Sequence, residues 1–318
     1  MKKKFSFLLI GYSHIARKRV IDVFLKNKVS FSVASKSYAK KIKGAKKQFS
    51  NYDKALSNSE ASIVYISLPN SLHFYWAKKA LLLGYHVIVD KPLCYSISET
   101  LELINIAKKK NKLLSEAIFY NYHAQIKKLL EIIKNKKKIN KVKVKFVIPM
   151  PEKKSILISK KLKGGAIMDM GPYAASINRI FFGKKITEEK ITVKKNLQNL
   201  PISFKLKIEY NKKIFEGLFK FGGNYINQVI FLTSTKKIEL NRVFSPPSNE
   251  DLNLMVTEKN KKTNYLINKD DCFENYFLNF KKNFYKKKYS YYLMQIIKDH
   301  LFRNKIESKF LIKHDKSL

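Results

Sequence analysis

Chemistry in this chain can begin at its first glycine. Residues 5–10 are a continuous apolar run, and Gly11-x-Ser13-x-x-Ala16 follows, a variant of the G-x-G-x-x-G/A turn that joins a strand to a helix. The glycine permits the tight turn, the small last residue lets helix and strand pack, and the helix N-terminus receives a pyrophosphate. Ser13 stands at the second glycine's place, where its hydroxyl is available to donate to a phosphate. Gly11, Ser13, His14, Ile15 and Ala16 are therefore candidate dinucleotide contacts. An NAD site places an acid about 20 residues after the glycine turn, for the ribose 2′-hydroxyl. Here the chain reads Ala34-Ser35-Lys36-Ser37 and has no acid. Ser35, Lys36 and Ser37 offer hydroxyls and a cation suited to a 2′-phosphate, so NADP(H) is expected over NAD(H). A second constellation is Asp169 and Tyr173, four apart at an expected helix start and so able to share one side. Taken alone they read as a capping Asp and a packed Tyr among 18 tyrosines.

Elements must place these residues. After the glycine turn, Ile15, Val20, Val23 and Phe24 keep helical spacing. Strands are expected at 30–34 and 62–67, the second ended by Leu68-Pro69-Asn70-Ser71. A helix at 71–83 follows, capped by Asn70 or Ser71 and stopped by Gly84. Then come a strand at 85–89, the loop Asp90-Lys91-Pro92, a helix at 98–109 and a strand at 113–117. Strands alternating with helices imply a parallel sheet covered on both faces, over residues 1–120. Beyond this the rhythm changes. A helix at 122–134, a strand at 141–148 and a helix at 171–182 precede four or more strands between 191 and 243, and helices at 271–284 and 291–302 close the chain. Residues 121–318 therefore read as an α+β domain.

Composition narrows the class. With 45% hydrophobic and 13% aromatic residues, 318 residues can build real cores, which excludes wholesale disorder and disulfide scaffolds. Cys94 and Cys272 form no framework, and a reducing compartment is the default. The net charge of +41 suggests a polyanion partner, but only five of the 65 basic residues are Arg. The charge is also spread evenly, +15 over 1–120 and +26 over 121–318, so nucleic acid is not the expected partner. The N-terminal basic and apolar residues are too short for a signal peptide, and no stretch reaches the ~18 apolar residues of a membrane span. A soluble cytoplasmic protein is expected. No Cys/His cluster has metal spacing.

Five further segments carry a resemblance. Leu68-Pro-Asn-Ser-Leu-His73 precedes Gly84-Tyr-His-Val-Ile-Val-Asp-Lys-Pro92, and Ser115-Glu-Ala-Ile-Phe-Tyr-Asn-Tyr-His123 follows. Gly164-Gly-Ala-Ile-Met-Asp-Met-Gly-Pro-Tyr173 and Asp271-Cys-Phe-Glu-Asn275 come later. In this order and spacing they resemble the glucose-fructose oxidoreductase/inositol dehydrogenase (Gfo/Idh/MocA) family. Asp90-Lys91-Pro92 stands for its E-K-P and Tyr173 for its last His or Tyr, as in the tyrosine branch. The resemblance implies an N-terminal Rossmann doubly wound parallel sheet, a C-terminal α+β domain with an open, mostly antiparallel sheet, and substrate between them. It implies Lys91 near nicotinamide and substrate, Tyr173 as acid/base, and Asp169 hydrogen-bonding substrate or Lys91. Leu68, Pro69, Asn70, His73, Asp90 and Lys91 join the cofactor contacts; Asn121 and Tyr122 join Lys91, Asp169 and Tyr173 around the substrate. Asn121 stands where the family has Arg and Ala124 where it has Pro. His14 and His123 are site-adjacent by the same likeness. Pro92 also biases its neighbour Lys91 away from the α region.

The expectation is an NADP(H)-preferring sugar or nucleotide-sugar dehydrogenase or ketoreductase, without metal, assembling as a homo-oligomer. Two rivals stay open: a cofactor-binding protein that has lost catalysis, and a basic RNA- or acidic-surface-binding protein on the same scaffold.

Overall fold

A computed structural model describes residues 4–37, 40–182 and 186–311. The chain divides into two compact units, Met1–Ile118 with Phe277–Ile297, and Phe119–Tyr276 with Lys298–Leu318.

The first unit opens with β1 (Ser6–Ile10), a π-turn over Ala16–Val20 that runs into α1 (Ile21–Lys26), β2 (Ser30–Ala34) and β3 (Ala45–Phe49). It continues through α2 (Tyr52–Asn58), β4 (Ile63–Ile66), α3 (Asn70–Leu82), β5 (His86–Asp90), α4 (Ile97–Lys109) and β6 (Leu114–Ala117). The six strands are parallel in the order β3-β2-β1-β4-β5-β6. β1 and β4 are buried throughout, the pattern of a sheet covered on both faces. This is the expected Rossmann arrangement, with two elements the sequence reading lacked, β3 and α2. Asn51 caps α2 by accepting from the amides of Asp53 and Lys54. α3 begins at Asn70, with Pro69 at the cap position and no side-chain cap, instead of the expected Asn70 or Ser71 cap. Ser96 and Glu99 close a capping box on α4.

The second unit holds α5 (Ala124–Ile133), β7 (Lys141–Ile148), α6 (Ala166–Phe181), β8 (Glu188–Lys195), β9 (Pro201–Tyr210) and β10 (Lys213–Phe221). β11 (Ile226–Leu232), β12 (Lys236–Asn241), β13 (Leu252–Glu258) and β14 (Lys261–Ile267) complete its eight-stranded sheet. The order is β14-β13-β12-β11-β7-β10-β9-β8, antiparallel except for the β7/β10 pair. Period-two alternation puts Val142, Val144, Phe204, Leu206, Phe215 and Phe219 in the core, while Lys143, Lys145, Lys205 and Lys207 stay exposed. α6 starts five residues before the expected 171. Gly171 and Pro172 read as a helix opening, yet both lie inside α6, and Gly171 leaves room for the Arg303 stem.

The closing helices are α7 (Cys272–Tyr285) and α8 (Ser290–Leu311). The expected boundary at 120/121 assigned both to the second domain, but residues 277–297 pack in the first unit. The Phe277 ring lies 5.7 Å from Phe7, 5.0 Å from Phe24 and 6.0 Å from Tyr65, and Leu293 and Ile296 join the buried cluster of that unit. Their apolar face needs a core, and helical spacing in the sequence does not say which one. No helix among the described residues is long and apolar enough to cross a membrane.

Candidate active site

In the first unit the carboxyl ends of β1, β4 and β5 converge. Gly11 has φ +95° and donates its N–H to the Ala34 carbonyl at 2.9 Å. A Cβ there would lie 2.1 Å from the Ser67 carbonyl oxygen and 2.8 Å from a Leu68 methyl, so only glycine fits. Ser67 in turn donates its N–H to Ile10 at 2.8 Å.

A line of hydroxyls crosses these strand ends. The Ala16 N–H donates to Ser13 Oγ at 3.1 Å, and the Ser13 and Ser67 hydroxyls are 2.6 Å apart. Ser67 Oγ donates to one oxygen of Asp90 at 2.5 Å, and the Tyr65 hydroxyl donates to the other. Because Ser67 gives its proton to Asp90, Ser13 gives its own to Ser67. Ser13 thus caps the helix and ties two loops together. Burial pushes the Asp90 carboxyl up, while the Ser67 and Tyr65 hydroxyls pull it down.

His14 and Ile15 stand exposed at the start of the first helix, Ile15 at 42%. At the end of β2, Ser35 is buried and gives its N–H to Phe49 at 2.9 Å, whereas Lys36 and Ser37 are exposed. The Lys36 ammonium lies 5.2 Å from the Tyr52 ring centre. Burial pushes the Tyr52 phenol up, against a hydrogen bond from the Lys36 backbone. Tyr52 in turn meets the Trp76 ring edge-on at 5.1 Å. Leu68, Pro69 and Asn70 are half-buried. The Lys91–Pro92 peptide bond is cis, and Lys91 is half-buried. His73 is buried, with its ring nitrogens 2.7 Å from the carbonyls of Pro92 and Leu68.

These features test the dinucleotide that such a sheet implies. The backbone crossover demands glycine, the helix start beside it is open, and an exposed cation stands where the nucleotide ribose would end. The residues fit the group.

In the second unit, Gly164 and Gly165 lead into α6. A Cβ on Gly164 would lie 2.5 Å from the Ile156 carbonyl, and Gly165 has φ +103° while donating to Leu157 at 2.7 Å. Asp169 and Tyr173 then fall one turn apart on α6. The Tyr173 ring packs among Phe244 at 4.9 Å, Phe146 at 5.6 Å and Tyr120 at 5.8 Å. Ser176 Oγ donates to the Tyr173 carbonyl at 3.0 Å and lies 2.7 Å from the Tyr120 hydroxyl. Burial pushes the Tyr120 phenol far up, so it holds its proton.

The segment 119–125 is fastened to the start of α7. Asp270 accepts from the Ala124 N–H at 2.6 Å and from Asn275 Nδ2 at 2.8 Å, and Asn275 also donates to the Tyr122 carbonyl at 3.1 Å. The family's proline could not make the Ala124 bond. His123 is buried and caps α5, its Nδ1 accepting from Gln125 at 3.2 Å. Asn121 Oδ1 is buried without a hydrogen-bond partner among the described residues. Tyr65, Ser67, Tyr120, Ser176 and Asp270 were absent from the sequence-derived set; they act through other residues, and only the strand pairing reveals the first two. Among the described residues no three His, Cys, Asp or Glu side chains gather to hold a metal.

A six-stranded parallel sheet in this order, with a glycine crossover after its first strand, defines a dinucleotide-binding Rossmann unit, here joined in one chain to a unit built on an open mixed sheet. Residues 5–118 match the model of the Gfo/Idh/MocA oxidoreductase family with an NAD-binding Rossmann fold. The whole fold is similar to that of the 3-ketoreductase KijD10 from Actinomadura kijaniata, solved with NADP and TDP-benzene, at TM-score 0.90 and 19% identity over 96% of this chain and 98% of that one. The sequence is 32% identical over 137 residues to a D-xylose 1-dehydrogenase (NADP(+)) of Haloferax volcanii, 42% of each chain. It is 23% identical over 251 residues to a dTDP-3,4-didehydro-2,6-dideoxy-alpha-D-glucose 3-reductase of Streptomyces antibioticus, 76% of each. The chain spans 42% of the length of the first curated relatives it matches.

Proposed function

We propose that the chain is a cytoplasmic, NADP(H)-preferring oxidoreductase acting on a hydroxyl or carbonyl of a sugar or nucleotide-linked sugar. The observation that carries this reading is the Gly11 crossover with the exposed cation Lys36 at the end of β2. The relatives' names support the substrate class, since they include dTDP-sugar 3-reductases and an NADP-dependent xylose dehydrogenase.

When bound, the nicotinamide supplies or accepts the hydride. The chain's own residues do the rest. Lys36 and Ser37 meet the 2′-phosphate, the helix start at His14 and Ile15 receives the pyrophosphate, and Leu68, Pro69 and Asn70 line the nucleotide's course. Lys91 stabilises negative charge on the reacting oxygen with its ammonium. Tyr173 Oη gives that oxygen a proton when a carbonyl is reduced and takes it back when a carbinol is oxidised. Asp169, Asn121 and Tyr122 hydrogen-bond the substrate. A homo-oligomer belongs to the same reading.

The test is NADPH consumption over a panel of 3-keto nucleotide-linked sugars and aldoses, with Tyr173→Phe as control. At least one substrate should turn over, and the variant should lose about 10²- to 10⁴-fold in kcat while binding NADPH as before. NADPH binding with no turnover on any substrate would favour a protein that has lost catalysis.

A further inference from the structure

His73 lies in the first turn of α3 with 1% of its surface exposed. Its Nδ1 is 2.7 Å from the Pro92 carbonyl oxygen and its Nε2 is 2.7 Å from that of Leu68. Carbonyls only accept, so each contact calls for a proton on the nitrogen, and a neutral imidazole carries one. Turning the ring over would place two C–H groups at that distance, well inside the roughly 3.3–3.6 Å of a C–H···O contact. Leaving one nitrogen bare would set lone pair against lone pair.

A countercharge is at hand. Asp90, held by the Tyr65 and Ser67 hydroxyls, faces the ring electrostatically, while the neighbouring cation Lys91 opposes the ring's charge. Burial is the largest influence and holds the ring's pKa below its ordinary value, while the Pro92 carbonyl, Asp90 and the Leu68 carbonyl oppose it; the proton on each nitrogen rests on the two 2.7 Å contacts. Leu68 follows β4 and Pro92 follows β5, so one ring fastens the carboxyl-end loops of two adjacent strands.

We propose that His73 is an imidazolium staple between the Leu68 turn and Pro92, and that it acts as a positioning residue for Lys91 and not as a nucleotide contact. The effect on turnover rests on the role given to Lys91 above; the protonation does not. Asparagine at 73 keeps at most one of the two bonds.

Two measurements decide it. In ¹⁵N NMR of the full chain without nucleotide, the His73 ring is assigned by its loss in His73→Asn, or in His73→Gln if the first variant does not fold. The expected result is a proton on both ring nitrogens at pH 7; a single protonated nitrogen would overturn the proposal, and this readout stands even if no substrate turns over. The second is kcat in a cycle of His73→Asn, Lys91→Ala and the double variant. The histidine variant should lose about 10- to 100-fold alone and nothing further when Lys91 is already alanine. An equal loss in both backgrounds, or a lowered Tm with kcat intact, would overturn the positioning role.

Discussion

The Cα of Gly11 approaches the Ser67 carbonyl so closely that a Cβ would lie 2.1 Å from its oxygen. The same approach lets the Ser13 and Ser67 hydroxyls meet at 2.6 Å, so the nucleotide turn and the Asp90 loop are one connected structure. Gly11→Ala should therefore act twice. The φ of +95° and the backbone clash should lower unfolding free energy by about 2 kcal/mol or more, and NADPH affinity should fall at least about tenfold. Urea unfolding and nucleotide titration check this; an unchanged urea midpoint would contradict it.

Asp270 fastens segment 119–125 to the start of α7 through Ala124 and Asn275. Asp270→Ala leaves the Ala124 N–H and part of the Asn275 amide without acceptors, which should cost about 2–3 kcal/mol. Chemical denaturation of the two proteins measures this directly, and a loss under about 0.5 kcal/mol would mean that water replaces the carboxylate.

His300 gives the fold an acid limit. Burial and the charge of Arg303, which lies 3.0 Å from Nε2, push its pKa down to about 3. Against about 6.5 in the unfolded chain, the unfolded state binds the extra proton between these values. Its contribution is thus complete above about pH 6.5 and is lost as pH falls toward 3. At pH 4.5 the loss is about 2–3 kcal/mol. Urea midpoints at pH 7 and 4.5 should show His300→Gln losing that much less than wild type; equal losses would remove this cause.

Much of the nucleotide unit was legible because parallel strands buried on both faces are almost wholly apolar, as in Ser6–Ile10 and Ile63–Ile66, and because Gly11, Pro69 and Gly84 mark their ends. Two edge strands, β3 and β14, were not. β3 reads Ala-Lys-Lys-Gln-Phe and β14 reads Lys-Lys-Thr-Asn-Tyr-Leu-Ile, each with exposed polar side chains that imitate a loop. Phe277, Phe280 and Phe284 announce an apolar helical face, yet only packing against Phe7 and Phe24 assigns part of it to the first unit.

The candidate site divides the same way. Gly11, Lys36, Lys91 and Tyr173 stand out by type and motif. Tyr65 and Ser67 join Asp90 through the β4/β5 register, across 25 and 23 residues of sequence, and Ser176 meets Tyr120 across 56. Side chains that work through a partner leave no pattern along the chain, and the two carbonyls that His73 meets come together only in the fold.

The most direct test uses the single tryptophan. Trp76 is 6% exposed and meets Tyr52 edge-on, and Lys36 lies over Tyr52, so one aromatic contact separates the reporter from the proposed phosphate site. Trp76 fluorescence should be titrated with NADPH and with NADH, in wild type and in Lys36→Ala. The account predicts saturable NADPH binding at least about tenfold tighter than NADH, with most of that margin gone in the variant. Equal affinity for the two nucleotides, or a preference that survives in Lys36→Ala, would contradict the 2′-phosphate site, and binding of neither would remove the basis for an oxidoreductase.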